Sequence, residues 1–201
     1  MKRKMQLGQI VMLTAFTLLA VVVTVSAQNT APVDISSLAG RQLYVLKKCG
    51  DCHNQGAAKF TPIKAVWDST KLAAHVEALK LENVLRKDTS PRRQKRTFGQ
   101  EVMAMVAYLK NREKADTAPK NFVTAGYVMT REDCRNCHAI NGVGKDVGPN
   151  LAGLGAKHDK KWMIEHFMNP QAFVKDSVMP KFDTLPKEEL EAMAEYLLAL
   201  K

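Results

Sequence analysis

An all-α protein of two tandem helical modules is what the sequence predicts, on three observations. Apolar residues recur at helical spacing, no alternating run of β-branched residues marks a sheet, and one set of landmarks occurs twice in the same order. The 201 residues are 46% hydrophobic and 25% charged, which excludes a disordered or collagen-like chain and a multi-span membrane protein. Lys+Arg 30 against Asp+Glu 20 gives a net charge of +10. Such a charge bears on association and does not by itself imply nucleic acid.

At the N-terminus Lys2, Arg3 and Lys4 precede an uncharged stretch from Leu7 to Ala27, which ends in the small-residue pattern Val25-Ser26-Ala27. This pattern predicts a signal peptide over residues 1–27, cut after Ala27. The alternative is an uncleaved anchor, because the stretch is just long enough to cross a bilayer at roughly 20 residues. Both readings deliver the rest of the chain to the periplasm, the second with a tether to the inner membrane. Gln28 to Ser37 reads as a lead-in. Residues 28–117 carry 16 basic and 9 acidic side chains, whereas residues 118–201 carry 11 of each, so the positive charge belongs to the first half.

The repeat defines two modules, residues 38–116 and 122–201. The first reads Gly40, Tyr44-Val45, Cys49-x-x-Cys52-His53, Trp67 and Ala107-Tyr108-Leu109-Lys110; the second reads Gly126-Tyr127-Val128, Cys134-x-x-Cys137-His138, Trp162 and Glu195-Tyr196-Leu197-Leu198. Between them the polar stretch Asn111 to Asn121, with Pro119, reads as a linker. Short helices over Ser37–Lys48 and Thr124–Arg131 lead into the cysteines. Asp68 and Ser69 can cap a helix whose Leu72, Val76, Leu79 and Leu81 form an apolar stripe. Gln100 to Arg112 reads as the closing helix of module one. Its counterpart follows Pro186, opens with Lys187-Glu188-Glu189, where acidic side chains suit the helix dipole, and lines up Leu190, Met193, Ala194, Leu197 and Leu198. The Gly-rich stretch Asn141 to Gly155 is irregular backbone.

All four cysteines fall in the two Cys-x-x-Cys-His units, Cys49-Gly50-Asp51-Cys52-His53 and Cys134-Arg135-Asn136-Cys137-His138. That pattern attaches haem c: two thiols one helical turn apart can add to the two vinyl groups of one porphyrin, and the following His can reach the iron. The sequence therefore predicts two covalent haems, held by Cys49 and Cys52 and by Cys134 and Cys137, with His53 and His138 as proximal ligands. A zinc site using both Cys pairs leaves the two histidines and the duplicated modules unexplained. A thioredoxin-like dithiol would need a βαβ pattern that is missing.

Over residues 38–201 the chain resembles the tandem, dihaem class I c-type cytochromes. The resemblance implies a helix before each CxxCH, a loop after it, and a Met from a late loop on the distal face of the iron. In module two, Gly148-Pro149-Asn150-Leu151 is similar to the family segment whose Pro carbonyl orients the proximal imidazole, which gives Pro149 that role behind His138. Ser177-Val178-Met179-Pro180-Lys181-Phe182 is similar to the family's ligand loop, which makes Met179 the distal ligand. The same stretch is similar to c-type subunits that feed respiratory membrane complexes.

Module one departs from this pattern. Where module two has Val178-Met179-Pro180, it has Thr89-Ser90-Pro91, and no Met occurs from Gln55 to Val102. The remaining candidates are His75, Met103 and Met105, and a five-coordinate iron is the further alternative. The run Arg92-Arg93-Gln94-Lys95-Arg96 occupies the loop that would have carried the ligand. Arg92, Arg93, Lys95 and Arg96 read either as a docking face for an acidic redox partner or as a solvated loop. Trp67 and Trp162 stand at matching places and read as packing residues.

The function these features predict is electron transfer between respiratory redox partners, with the cofactor carrying the chemistry and no catalytic acid, base or nucleophile. The alternatives are a peroxidase-like enzyme or small-molecule reductase using an open first haem, and a ligand-binding sensor.

Overall fold

The computed structural model describes residues 32–53, 68–81, 84–85 and 90–200, with the side chain of Arg93 excepted. The predicted signal segment, Trp67 and Thr89 lie outside them. Among the described residues the fold is helical with no strand, as the sequence predicts. Helix α1 spans Ile35–Leu46, α2 Gly50–His53, α3 Ser69–Ala78, α4 Pro91–Lys110, α5 Arg112–Asp116, α6 Lys120–Arg131, α7 Lys160–Met168 and α8 Lys187–Ala199. No helix among the described residues is long and apolar enough to cross a membrane.

The two halves run in parallel. Helix α1 packs on α4 in the first half and α6 on α8 in the second, while α1 and α6 pack on each other. Asp34 starts α1, its carboxylate accepting from the backbone of Ser36 at 3.0 Å and Ser37 at 3.3 Å. Asp68 caps α3 and Asp159 caps α7 in the same way, accepting from Lys71 N and Trp162 N at 2.8 Å each. Helices α1 and α6 each stop just short of the cysteines, with one residue in the left-handed region: Lys48 (φ 54°) before Cys49 and Asp133 (φ 61°) before Cys134. That turn swings the chain off the helix axis, so each motif starts its own turn. The turn is α-helical at Gly50–His53 and 3-10 at Cys134–Asn136. His53 N donates to Cys49 O at 3.1 Å, and His138 N to Cys134 O at 3.0 Å, so both motifs close with the same bond.

Glycine permits the closest approaches. A Cβ on Gly40 would lie 2.0 Å from Ala104 O on α4, and one on Gly126 would lie 2.5 Å from Leu38 Cβ and 2.9 Å from Ile35 O on α1. The α1–α6 seam therefore brings backbone almost onto backbone. The core of the second half takes Ile35 and Leu38 from α1 together with Val123, Val128 and Met129 of α6 and Leu190, Met193, Tyr196 and Leu197 of α8. Each Val, Leu or Met so buried contributes about 1.5–3 kcal/mol. The core of the first half joins Ala39 and Leu43 to Leu72, Val76, Val102 and Met105.

Three sequence expectations are corrected. The closing helix of module one does not begin near Gln100 but at Pro91, with Pro at the first position, where its missing N–H costs nothing. The run Arg92–Arg96 is accordingly the start of a helix rather than a loop. The stretch Asn111 to Asn121 is no free linker: it holds α5 and the start of α6. Its backbone is clamped by Arg41, whose guanidinium donates to Ala115 O at 2.9 Å and Ala118 O at 3.0 Å. Helix α3 ends at Ala78, with Lys80 in the left-handed region (φ 52°), so Leu79 and Leu81 follow the helix instead of extending it.

Beneath the first motif lies an ion pair that sequence reading missed. Lys47 Nζ sits 2.6 Å from Glu101 Oε2, with both side chains 1% exposed. Glu101 Oε1 accepts from the backbone N–H groups of Val84 at 2.5 Å and Leu85 at 2.7 Å. Tyr127 on α6 donates to Val84 O at 3.1 Å, which ties this segment to the second half.

Candidate haem sites

Each Cys-x-x-Cys-His unit opens onto its own cavity. The second, of about 410 Å³, is lined by Cys134, His138, Pro149 and Met179, with Met163, Phe167, Met193 and Leu197 among its apolar walls. The first, of about 470 Å³, is lined by Cys49, Cys52, His53 and His75, with Leu72, Val76, Leu81, Met105 and Leu109. Both volumes fall in the roughly 300–1,000 Å³ range of small-molecule and cofactor pockets. Cys49 and Cys52 border one cavity and Cys134 the other, and the four cysteines do not converge on one four-thiolate site. Burial pushes the Cys134 thiol up to about 12 and also raises Cys49.

In the second cavity His138 Nδ1 lies 2.8 Å from the carbonyl oxygen of Pro149. A carbonyl can only accept, so Nδ1 carries the proton and the Nε2 lone pair is left for a metal. Gly148 makes this possible: a Cβ there would stand 2.5 Å from His138 Cε1 and 2.8 Å from Nδ1. The loop is pinned to the motif by Gly148 N donating to Cys137 O at 2.7 Å and Leu151 N to Ala139 O at 3.0 Å. Met179 lines the same cavity, with its backbone N–H donating to Ser177 Oγ at 3.3 Å. The residues present suit a porphyrin: an apolar cavity, the Cys134 thiol in its wall and an oriented imidazole.

Three further ring side chains that sequence reading did not single out, His158, His166 and Phe173, line the second cavity. His158 stacks on Trp162 at a centroid distance of 3.5 Å, Trp162 on His166 at 4.7 Å, and Phe173 closes the ladder 5.2 Å from His166. His166 Nδ1 is buried and has no hydrogen-bond partner among the described residues. Burial, then the neighbouring His158 and His138, push the His166 imidazole below its ordinary value. The helix caps held a signal for His166. Counted from Asp68 and Asp159, His75 and His166 occupy the same position of α3 and α7. In that register Trp162 falls inside α7, whereas Trp67 precedes the cap of α3, so the two tryptophans do not match.

In the first cavity the rings of His53 and His75 stand 6.1 Å apart between centroids, tilted by 58°. Met105 lines the wall, while Met103 is 58% exposed. Of the basic run, Arg92 and Lys95 are exposed, and Arg96 lies 3.4 Å from Asp133 in the turn before Cys134.

Comparison with known proteins adds a family. Residues 141–198 match the family described as cytochrome c oxidase, mono-heme subunit/FixO. The matched stretch takes in the Pro149 loop, α7, the Met179 loop and most of α8, and begins just after Cys134–His138. The chain is also similar to cytochrome c oxidase subunit 2 of Alkalihalophilus pseudofirmus, 28% identical over 82 residues, covering 37% of this chain and 24% of that protein. These likenesses support a c-type cytochrome. They support haem; the family is described as mono-haem, and both Cys-x-x-Cys-His motifs lie outside its match. No solved structure matches the chain.

Proposed function

We propose that the chain is an exported dihaem cytochrome that passes single electrons between respiratory redox partners. The observation that carries this reading is that each of two Cys-x-x-Cys-His motifs borders a separate apolar cavity. Cys49 and Cys52 hold one haem, and Cys134 and Cys137 hold the other. Each thiol would hold its haem through a thioether to a vinyl group, an addition with no net oxidation. Bound haem supplies an iron that cycles between Fe(III) and Fe(II). His138, oriented by Pro149, and Met179 would hold the second iron, and His53 would hold the first. The apolar walls exclude water, and a His/Met pair favours the reduced iron, which makes the second haem the higher-potential centre.

The respiratory setting is supported by the likeness to two kinds of oxidase component. Export to the periplasm is supported by the charged and apolar pattern of residues 1–27. The basic residues Arg92, Arg93, Lys95 and Arg96 fit docking of an acidic partner. They stand at the start of α4, where positive charge opposes the helix dipole, so helix stability does not account for them.

The intact mass and absorption spectrum of the purified protein test the reading. Two haem increments are expected, with one lost in Cys49→Ser/Cys52→Ser and the other in Cys134→Ser/Cys137→Ser. A colourless product, or an unchanged mass in either double variant, refutes it.

A further inference from the structure

We infer that His75 is the distal ligand of the first iron, so that this centre is held by two imidazoles, His53 and His75; the assignment rests on the two-haem reading above. Three observations carry it. The first is the spacing of the rings. Two metal–nitrogen bonds of about 2 Å on opposite sides of one metal, with about 1 Å more from each nitrogen to its ring centre, put the two centroids roughly 6 Å apart. His53 and His75 stand at 6.1 Å, in one cavity whose edge carries Cys49 and Cys52.

The second observation is that module one has no methionine where the ligand loop of module two carries Met179. Helix α8 begins nine residues before Tyr196, leaving Ser177 to Pro186 as the loop that bears Met179, whereas α4 begins 17 residues before Tyr108. The counterpart of the ligand loop is drawn into the first turns of α4, and Ser90, at the place of Met179, is the residue before that helix. The two methionines left in module one stand on α4, after the place of the ligand loop. Met103 is 58% exposed. Met105 stands three residues before Tyr108, as Met193 stands before Tyr196; both are buried core residues, and module two has Met179 besides Met193.

The third observation is the repeat itself. The seventh residue after the capping Asp is a histidine in both α3 and α7, and in each half it lines the cavity of its own motif. The position between Leu72 and Val76 on α3 thus presents an imidazole to the cofactor space, and in module one no Met loop shares it.

The test is spectroscopic, on the full chain carrying its haems. Wild type is expected to have both ferric irons low-spin and, when reduced, to bind carbon monoxide at neither site within seconds. In His75→Ala one of the two haems turns high-spin and takes up one equivalent of carbon monoxide, and added imidazole reverses both changes. Where His75→Ala does not accumulate, His75→Met serves: it gains a second Met-to-ferric-iron charge-transfer band beside that of Met179. Retention of two low-spin haems in His75→Ala overturns the assignment, as does a wild-type high-spin haem that binds carbon monoxide as fast as the variant. In both cases two haem increments in the mass leave the dihaem reading standing. A mass increment of one haem, with Cys49 and Cys52 unmodified, removes the dihaem reading and the ligand with it.

Discussion

Replacing Glu101 by Gln isolates the buried charge beneath the first site. Gln keeps the shape and retains an oxygen for the N–H groups of Val84 and Leu85, which lie 2.5 and 2.7 Å from Glu101 Oε1. It removes the negative charge 2.6 Å from Lys47 Nζ, where both side chains are 1% exposed. Breaking a buried pair by neutralising one partner costs about 3–5 kcal/mol, because the other charge stays in a place where water cannot solvate it. At about 2–4 °C per kcal/mol for a protein of this size, Tm should fall by roughly 6–20 °C. Replacing both charges, in Lys47→Met/Glu101→Gln, removes the desolvated ammonium and should recover most of that loss. Thermal unfolding of the haem-loaded protein, followed by circular dichroism over the two single variants and the double, measures the coupling. A fall of under 2 °C in Glu101→Gln, or two single losses that add in the double variant, would refute the reasoning.

Gly148→Ala puts a methyl group 2.5 Å from His138 Cε1, so the ring must turn off the Pro149 carbonyl. Absorption of the purified variant should show the Met179 ligation band weakened or lost with the first haem unaffected, and an unchanged spectrum counts against the Pro149 role. Gly126→Ala gains helix propensity of up to about 1 kcal/mol but drives a Cβ to 2.5 Å from Leu38 Cβ; overpacking at about 1–3 kcal/mol wins, and Tm should drop rather than rise. Electron transfer to an acidic partner should slow about ten-fold as ionic strength rises from 10 mM to 1 M, and Arg92→Gln/Lys95→Gln should flatten that profile in stopped-flow measurements. Equal salt dependence in variant and wild type leaves the run with no part in docking.

The sequence made the helical class and the twofold order of elements legible because both rest on local signals: the paired motifs, the tyrosines near the chain's closing helices, and Pro186 before α8. The Pro149 carbonyl was legible through the likeness of Gly148-Pro149-Asn150-Leu151 to a segment of the class I c-type cytochromes. The start of α4 was not, since its first turns are polar and exposed and carry no apolar stripe; Pro91 was the one signal there, and the likeness to a ligand loop overrode it. The linker was misread for a related reason. Its polar residues do not pack by burial but are held by Arg41, 74 positions from Ala115 in sequence. The Lys47–Glu101 pair lay beyond reach because each residue taken alone reads as a surface charge. His166 would have been found by aligning the halves on their capping aspartates instead of their tryptophans.

The glycine at position 126 has a consequence for how the two cavities communicate. Because α6 meets α1 almost backbone to backbone there, and α1 and α6 each reach a cysteine motif after a single turn, neither half can swing without dragging the other along. On the two-haem reading proposed above, an electron crossing from one site to the other would wait on no hinge or docking search. Its rate should be indifferent to the viscosity of the surrounding medium, in contrast to exchange between cytochrome modules strung on a slack tether.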